Sequence, residues 1–244
     1  MLIEVEGFIV SETPYGETSK IINVYTKEKG LIGIMCKGAK SLKSPFRAGT
    51  QILSYGVFCL SYKEGKISTL RSVDIINPLK EIHNDLDKMV IVSYLTKLII
   101  QVVKQNNNKK IYDLFISTIL KINEGFDETV LCNILEIKLL PFLGVGLNLD
   151  SCNKCGNKTN IVTIDASYGG LICKDCYQNE LIVDLKVVKL IRMYYYIDIG
   201  SITSIKVEDK YKKVINKFIT DYYDSYNYIS KKTLASYIDV KYKS

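Results

Sequence analysis

Two cysteine pairs constrain this chain more than any other feature: Cys152-Asn153-Lys154-Cys155 and, after seventeen intervening residues, Cys173-Lys174-Asp175-Cys176. Thiolates spaced in this way form short knuckles, and two knuckles joined by a hairpin can converge on one tetrahedral zinc ion. A closed set of four sulfurs leaves no corner for water or substrate. The pattern therefore points to one structural Zn2+ held by Cys152, Cys155, Cys173 and Cys176, and away from zinc used as a Lewis acid. The second pair taken alone has the spacing of a redox dithiol; its partner at matching distance favours the metal. Gly156 suits the tight turn of the first knuckle, and residues 161–164 and 167–172 read as the intervening hairpin. Gly169-Gly170 lacks the lysine and the spacing of a phosphate loop and reads as a turn. Too short for an apolar core of its own, this segment should fold only as it binds its metal.

The other three cysteines, Cys36, Cys59 and Cys132, are scattered among apolar neighbours and read as ordinary thiols, not as a secreted disulfide framework. Glu4 and Glu6 interrupt the start of the chain where a signal peptide would be apolar, and no apolar run reaches the length of a membrane span. The expectation is a cytoplasmic protein with no membrane partner. At 244 residues, 47% of them hydrophobic, there is material for one large core or two smaller ones. Net charge is +7, and its distribution is uneven: Lys and Arg outnumber Asp and Glu by 11 to 7 over residues 1–80 and by 12 to 7 over 184–244, but not between. A positive excess at the two ends fits a polyanionic partner and equally fits a lysine-rich solvated surface.

Residues 1–80 carry short apolar and β-branched segments at 3–10, 20–26, 30–36, 52–62 and 66–74, separated by turn residues such as Glu64-Gly65. This reads as a small antiparallel β-barrel, with the pattern leaving a five-stranded oligonucleotide-binding fold and an SH3-like barrel both open. Between the third and fourth segments lies Cys36-Lys37-Gly38-Ala39-Lys40-Ser41-Leu42-Lys43-Ser44-Pro45-Phe46-Arg47, with four basic residues and no acidic one. Such a loop can follow a phosphate backbone without reading base edges, and Lys20 is a candidate for the same face. The competing reading has these lysines merely solubilising a loop anchored by Phe46. Tyr15, beside Pro14 and Gly16, is either a stacking platform or a cover for the barrel end.

Pro78 marks a change of period. Apolar residues at three- to four-residue spacing predict helices over 83–105, 110–124 and 128–143, the last kinked at Pro141, and after the cysteines over 187–197 and 208–228. The expected organisation is α+β: a barrel over residues 1–80, then a helical domain over 81–244 with the zinc module inserted at about 149–180. His83, the only histidine, reads as a cap or surface residue. Lys231 and Lys232 extend a second basic region.

Several of these landmarks, in this order, resemble the RecO family of bacterial recombination mediators and DNA repair proteins. They are Gly7-Phe8-Ile9-Val10, Pro14-Tyr15-Gly16-Glu17, Lys37-Gly38-Ala39-Lys40 with Lys43-Ser44-Pro45-Phe46, and Leu139-Leu140-Pro141-Phe142-Leu143-Gly144 leading to Leu149-Asp150-Ser151-Cys152-Asn153-Lys154-Cys155-Gly156. The resemblance spans nearly the whole chain. It implies an oligonucleotide-binding fold followed by a zinc-bearing helical domain, and a non-enzymatic protein that binds single- and double-stranded DNA and anneals complementary strands. It also implies that such a protein associates with RecR and engages single-stranded DNA-binding protein so that RecA can load. Lys37, Lys40, Lys43 and Arg47 carry over as the basic loop. One departure is Lys40-Ser41 where the family often has consecutive arginines, which keeps the charge and loses the bidentate fork. A different class stays open: a zinc-bearing adaptor that mainly docks proteins. An enzyme is disfavoured, since the chain shows no nucleotide-binding loop, no paired-carboxylate metal motif and no histidine-supported nucleophile.

Overall fold

The structure, a computed structural model, describes residues 1–226; Lys231, Lys232 and the last part of the helix expected over 208–228 lie outside the described residues. Five strands, β1 (Leu2–Tyr15), β2 (Ser19–Thr26), β3 (Gly30–Cys36), β4 (Tyr55–Ser61) and β5 (Ser68–Asn77), close into a barrel in the order β1-β2-β3-β5-β4. Closure comes from the parallel pairing of β3 with β5 at Ile34 with Ser68 and Met35 with Thr69; every other pairing is antiparallel. This topology is the oligonucleotide-binding fold, which resolves the choice the strand pattern left open. Alternation along the strands sends Val5, Ile9, Ile22, Val24, Ile34, Phe58, Leu60 and Leu70 into one core. Gly65 at φ +64° turns the chain between β4 and β5, a conformation that costs glycine nothing and other residues a Cβ clash. Ile52, expected at the start of a strand, precedes Leu53 at φ +64°, and that left-handed residue delays β4 to Tyr55.

By compactness the chain divides into Met1–Ile116 and Ser117–Ser244. The first unit thus takes in α1 (Lys80–His83), α2 (Leu86–Gln105) and the first half of α3 (Lys109–Asn123) together with the barrel. Aromatic pairs explain that grouping. Phe8 on β1 meets Phe115 edge to face at 5.2 Å, and Tyr25 on β2 meets Tyr112 at 5.2 Å. Glu6 accepts hydrogen bonds from the hydroxyls of Tyr55 at 2.6 Å and Tyr112 at 3.1 Å. The helix expected to begin at residue 83 is broken there: the Asp85 carboxylate caps α2 by accepting from the N–H groups of Asp87 and Lys88, which fixes a new start.

The second unit contains α4 (Glu128–Leu139), capped by the Asp127 carboxylate, then a 3-10 turn over Leu140–Leu143 that Pro141 imposes by lacking an N–H. A three-stranded sheet follows, made of β6 (Asn148–Cys152), β7 (Ile161–Asp165) and β8 (Gly170–Cys173) in the order β6-β8-β7. Helices α5 (Leu185–Tyr196) and α6 (Asp209–Ser225) complete it. Lys212 on α6 ties it to α4 through Asp127 at 2.8 Å. No helix among the described residues is long and apolar enough to cross a membrane.

Candidate functional site

The small sheet delivers the cysteines. Cys152 ends β6 and Cys173 ends β8, and the two strands run parallel, so both knuckles open on the same side. The Cys152 N–H donates to the Asn157 carbonyl at 2.7 Å, and the Gly156 N–H returns to the Cys152 carbonyl at 2.8 Å, with Gly156 at φ +76°. On the second knuckle the Lys174 N–H reaches the Asn160 carbonyl and the Tyr177 N–H the Cys173 carbonyl. Lys154 stitches the two together: its ammonium lies 2.5 Å from Glu180 Oε1, 3.1 Å from the Cys176 carbonyl and 3.9 Å above the Tyr168 ring.

All four sulfurs lie within 4.8 Å of one another, and Cys155 Sγ is 3.6 Å from Cys173 Sγ. Tetrahedral coordination at a Zn–S distance of about 2.3 Å puts sulfurs about 3.8 Å apart. That matches a metal cage and is far from the length of about 2.05 Å that a disulfide needs. The surroundings of the sulfurs differ. Burial pushes the Cys152 thiol up, but the backbone N–H groups of Cys173, Cys155 and Lys154 aimed at its sulfur outweigh it and bring it down to about 6. Cys176 is pushed up to about 12 by its hydrogen bond to Cys155 and by burial. Four sulfurs gathered this closely suit a divalent cation, which holds thiolates together by neutralising their charge. These residues fit a metal ion held at four sulfurs.

In the barrel unit, the loop after β3 is a chain of turns nailed down at intervals. The Gly38 N–H donates to Ser19 Oγ at 3.1 Å and the Lys40 N–H to the Thr18 carbonyl at 2.8 Å. Ala39 is buried in the barrel core, Phe46 packs against it, and Thr50 Oγ1 donates to the Phe46 carbonyl at 2.6 Å. Between these anchors Lys37, Lys40, Lys43 and Arg47 are all exposed, and none of them makes an ion pair among the described residues. Phe46 is thus the anchor that the solubilising reading required, yet the cations it leaves behind are without ion-pair partners among the described residues.

A cleft of about 480 Å³ brings Lys40 and Arg47 together with Lys20, Glu12 and His83, whereas Lys37 and Lys43 lie outside its lining. Lys20 differs from the rest. Its side chain is only 10% exposed and its ammonium sits 2.7 Å from the Glu12 carboxylate. Sequence reading missed Glu12, although the β1–β2 register, pairing Pro14 with Lys20 and Glu12 with Ile22, makes the two diagonal neighbours. His83 closes α1 at the edge of this cleft, a placement no local pattern signals. Tyr15, at the exposed end of β1, is 57% accessible.

Comparison with known proteins supplies the kinship. The family model described as Recombination protein O N terminal matches residues 1–79, and that described as Recombination protein O C terminal matches residues 83–235. A DNA repair protein RecO from Halalkalibacterium halodurans is 32% identical over 231 residues, covering 93% of this chain and 91% of the relative. One from Listeria monocytogenes is 31% identical over 226 residues, covering 91% and 88%. One from Bacillus pumilus is 30% identical over 231 residues, covering 93% and 90%. With both halves matched in order and relatives aligned along nine-tenths of its length, the chain belongs to the Recombination protein O, or RecO, family.

Proposed function

We propose that this protein works in DNA repair and recombination as a non-enzymatic mediator that binds single- and double-stranded DNA and brings complementary strands together. The observation that carries the reading is the loop of four exposed cations, Lys37, Lys40, Lys43 and Arg47, without ion-pair partners among the described residues and held by backbone anchors at Ala39 and Phe46. Annealing requires two mutually repelling strands to approach while their bases stay free to pair. Ammonium and guanidinium groups on a loop neutralise phosphates without occupying base edges, so repulsion falls and pairing remains open. Lysine supplies charge at Lys40 without arginine's fixed fork, which suits a moving backbone contact better than a single locked one. Lys20 serves the same surface indirectly, cancelling the Glu12 carboxylate that would otherwise repel a phosphate in the cleft.

The metal is taken to be one zinc ion at Cys152, Cys155, Cys173 and Cys176, and when bound it supplies a structural crosslink. Lys154 and the β6–β8 pairing pre-align the knuckles around it. In this reading residues 1–80 hold the DNA, residues 81–244 with the zinc module at about 149–180 dock protein partners, and the setting is the bacterial cytoplasm. The partners are RecR and single-stranded DNA-binding protein, with RecA loaded as a consequence. A second reading, a zinc-bearing adaptor that mainly docks proteins, draws on the exposed Leu181, Ile182 and Leu185 of the second unit. Charge reversal at Lys37, Lys40 and Lys43 separates the two. The mediator reading expects DNA binding to be lost while a complex with RecR survives; intact DNA binding with loss of that complex would establish the adaptor instead.

A further inference from the structure

The cleft beside the basic loop is built for more than a passing phosphate backbone. Its volume of about 480 Å³ falls within the range of about 300–1,000 Å³ usual for small-molecule sites, and it lies wholly within the first unit. Its lining is of two kinds. Lys20, Lys40, Arg47 and His83 supply hydrogen-bond donors, whereas Ile52, Leu53 and Met89 supply apolar surface. Leu53 is buried and Ile52 is 46% exposed, so the apolar part reaches from the barrel core to the rim. Phosphate contacts alone leave that part unused.

Lys20 makes the site specific. It is 8% exposed, so its ammonium has lost most of its water, yet its one hydrogen-bond partner among the described residues is Glu12 Oε2 at 2.7 Å. An ammonium carries three N–H donors, and a buried polar group left short of partners is destabilising. A ligand in the cleft can satisfy the donors that Glu12 does not. Because Glu12 cancels the Lys20 charge, the surplus in the cleft is that of Lys40 and Arg47, two positive charges. A phosphodiester within a strand carries one negative charge, whereas a terminal phosphate carries about 1.5 to 2 at neutral pH. The cleft is also set in place without a ligand. Leu53, at φ +64°, and Leu79, at φ +48° just before the short helix that carries His83, hold left-handed conformations that strain a leucine. Reciprocal backbone bonds lock the first, from the Leu53 N–H to the Ile9 carbonyl and from the Ile9 N–H to the Ser54 carbonyl. The Leu79 N–H is held by Asn77 Oδ1 at 2.8 Å. Strain fixed in this way collects at ligand clamps.

We propose that this cleft binds a free nucleoside diphosphate or triphosphate, with the terminal phosphate held by Lys40, Arg47 and the remaining donors of Lys20 and the base covered by Ile52 and Met89. Arg47 can meet two phosphate oxygens at once through its planar fork, and Lys40 adds a point charge. A nucleotide seated there takes two of the four exposed loop cations away from DNA. It therefore acts as a soluble competitor, lowering affinity for single strands and duplex alike. That consequence rests on the DNA-binding reading above; occupancy of the cleft does not, and the two can fail separately.

Isothermal titration calorimetry of the full-length chain with ATP, adenosine and inorganic tripolyphosphate, at constant ionic strength and without magnesium, tests this. ATP should bind once per chain with a Kd below about 1 mM, tripolyphosphate should bind about 10-fold more weakly, and adenosine should give no signal. Arg47→Ala and Ile52→Asp alter exposed side chains, so the protein should fold and melt as the parent does while ATP affinity falls about 10-fold. No binding of ATP by the parent overturns the proposal, and so does parental affinity in both folded variants. Tripolyphosphate bound as tightly as ATP overturns the nucleotide as the ligand. A 5′-phosphorylated oligothymidine that binds more tightly than its 5′-hydroxyl form, where ATP does not bind, gives the cleft to a strand end and overturns the free nucleotide. If ATP binds and saturating ATP leaves duplex affinity unchanged, the site stands and the placement of DNA on Lys40 and Arg47 falls.

Discussion

Replacing Lys37, Lys40, Lys43 and Arg47 together by Gln is the perturbation with the best-defined magnitude. The structure sets the count at four, because each of these side chains is exposed and free of ion pairs among the described residues, while Lys20 is already neutralised by Glu12 at 2.7 Å. Each phosphate contact contributes about 0.7 to the slope of log affinity against log salt for a single strand and about 0.9 for a duplex. Four contacts therefore predict a loss of slope of about 2.8 for single strands and about 3.6 for duplex. Between roughly 50 and 200 mM salt the parent's single-strand affinity should fall about 50-fold further than the variant's. The loss should not depend on base sequence, since phosphates carry none. Titration of labelled oligonucleotides of two unrelated sequences across that salt range measures it. A slope changed by less than one would refute the assignment of the loop as the phosphate contact, and so would a slope change confined to one sequence. Lys20→Gln alone should leave the slope within about one of the parent's.

Cys155→Ser should abolish stoichiometric zinc by elemental analysis and lower the melting temperature of the second unit, since metal binding there supplies folding energy; retained zinc with reversible thiol oxidation would contradict a structural role. At Gly170 an added Cβ would strike the Asn148 backbone carbonyl across the β6–β8 pairing, so Gly170→Ala should cost about 1–3 kcal/mol of stability and weaken zinc retention while leaving the DNA salt slope untouched. Burial lowers the pKa of the Lys212 ammonium, but its hydrogen bonds to Asp127 and Asp209 outweigh this and hold it above its ordinary 10.5. Because the folded value is the higher one, the contribution is whole below pH 10.5 and fades as pH rises through the folded value. Lys212→Met should accordingly lower the chemical-denaturation midpoint at pH 7, by an amount equivalent to about 1–3 kcal/mol, and that difference should shrink under strongly alkaline conditions; a deficit independent of pH would assign the loss to packing.

Local patterns carried the sequence reading where a structural reason is local. Alternation at Ile22, Val24 and Ile34 foretold strands, Pro141 foretold a break in the helix expected over 128–143, and the cysteine spacing foretold a cluster of four sulfurs. Reading failed where the determining partner is distant in sequence or depends on register. Nothing near Phe8 or Tyr25 announces Phe115 and Tyr112, about a hundred positions away, so these aromatic pairs were invisible in the sequence. Lys20 shares a cleft with Lys40 and Arg47, but its pairing with Glu12 escaped because the two become neighbours only once β1 and β2 are paired.

The most direct test is the rate at which complementary strands, each coated with single-stranded DNA-binding protein, anneal at moderate salt with and without this protein. A phosphate-neutralising mediator should accelerate annealing of the coated strands, and the variant lacking Lys37, Lys40, Lys43 and Arg47 should lose most of that acceleration. No acceleration by the parent protein, or full acceleration by the variant, would contradict it.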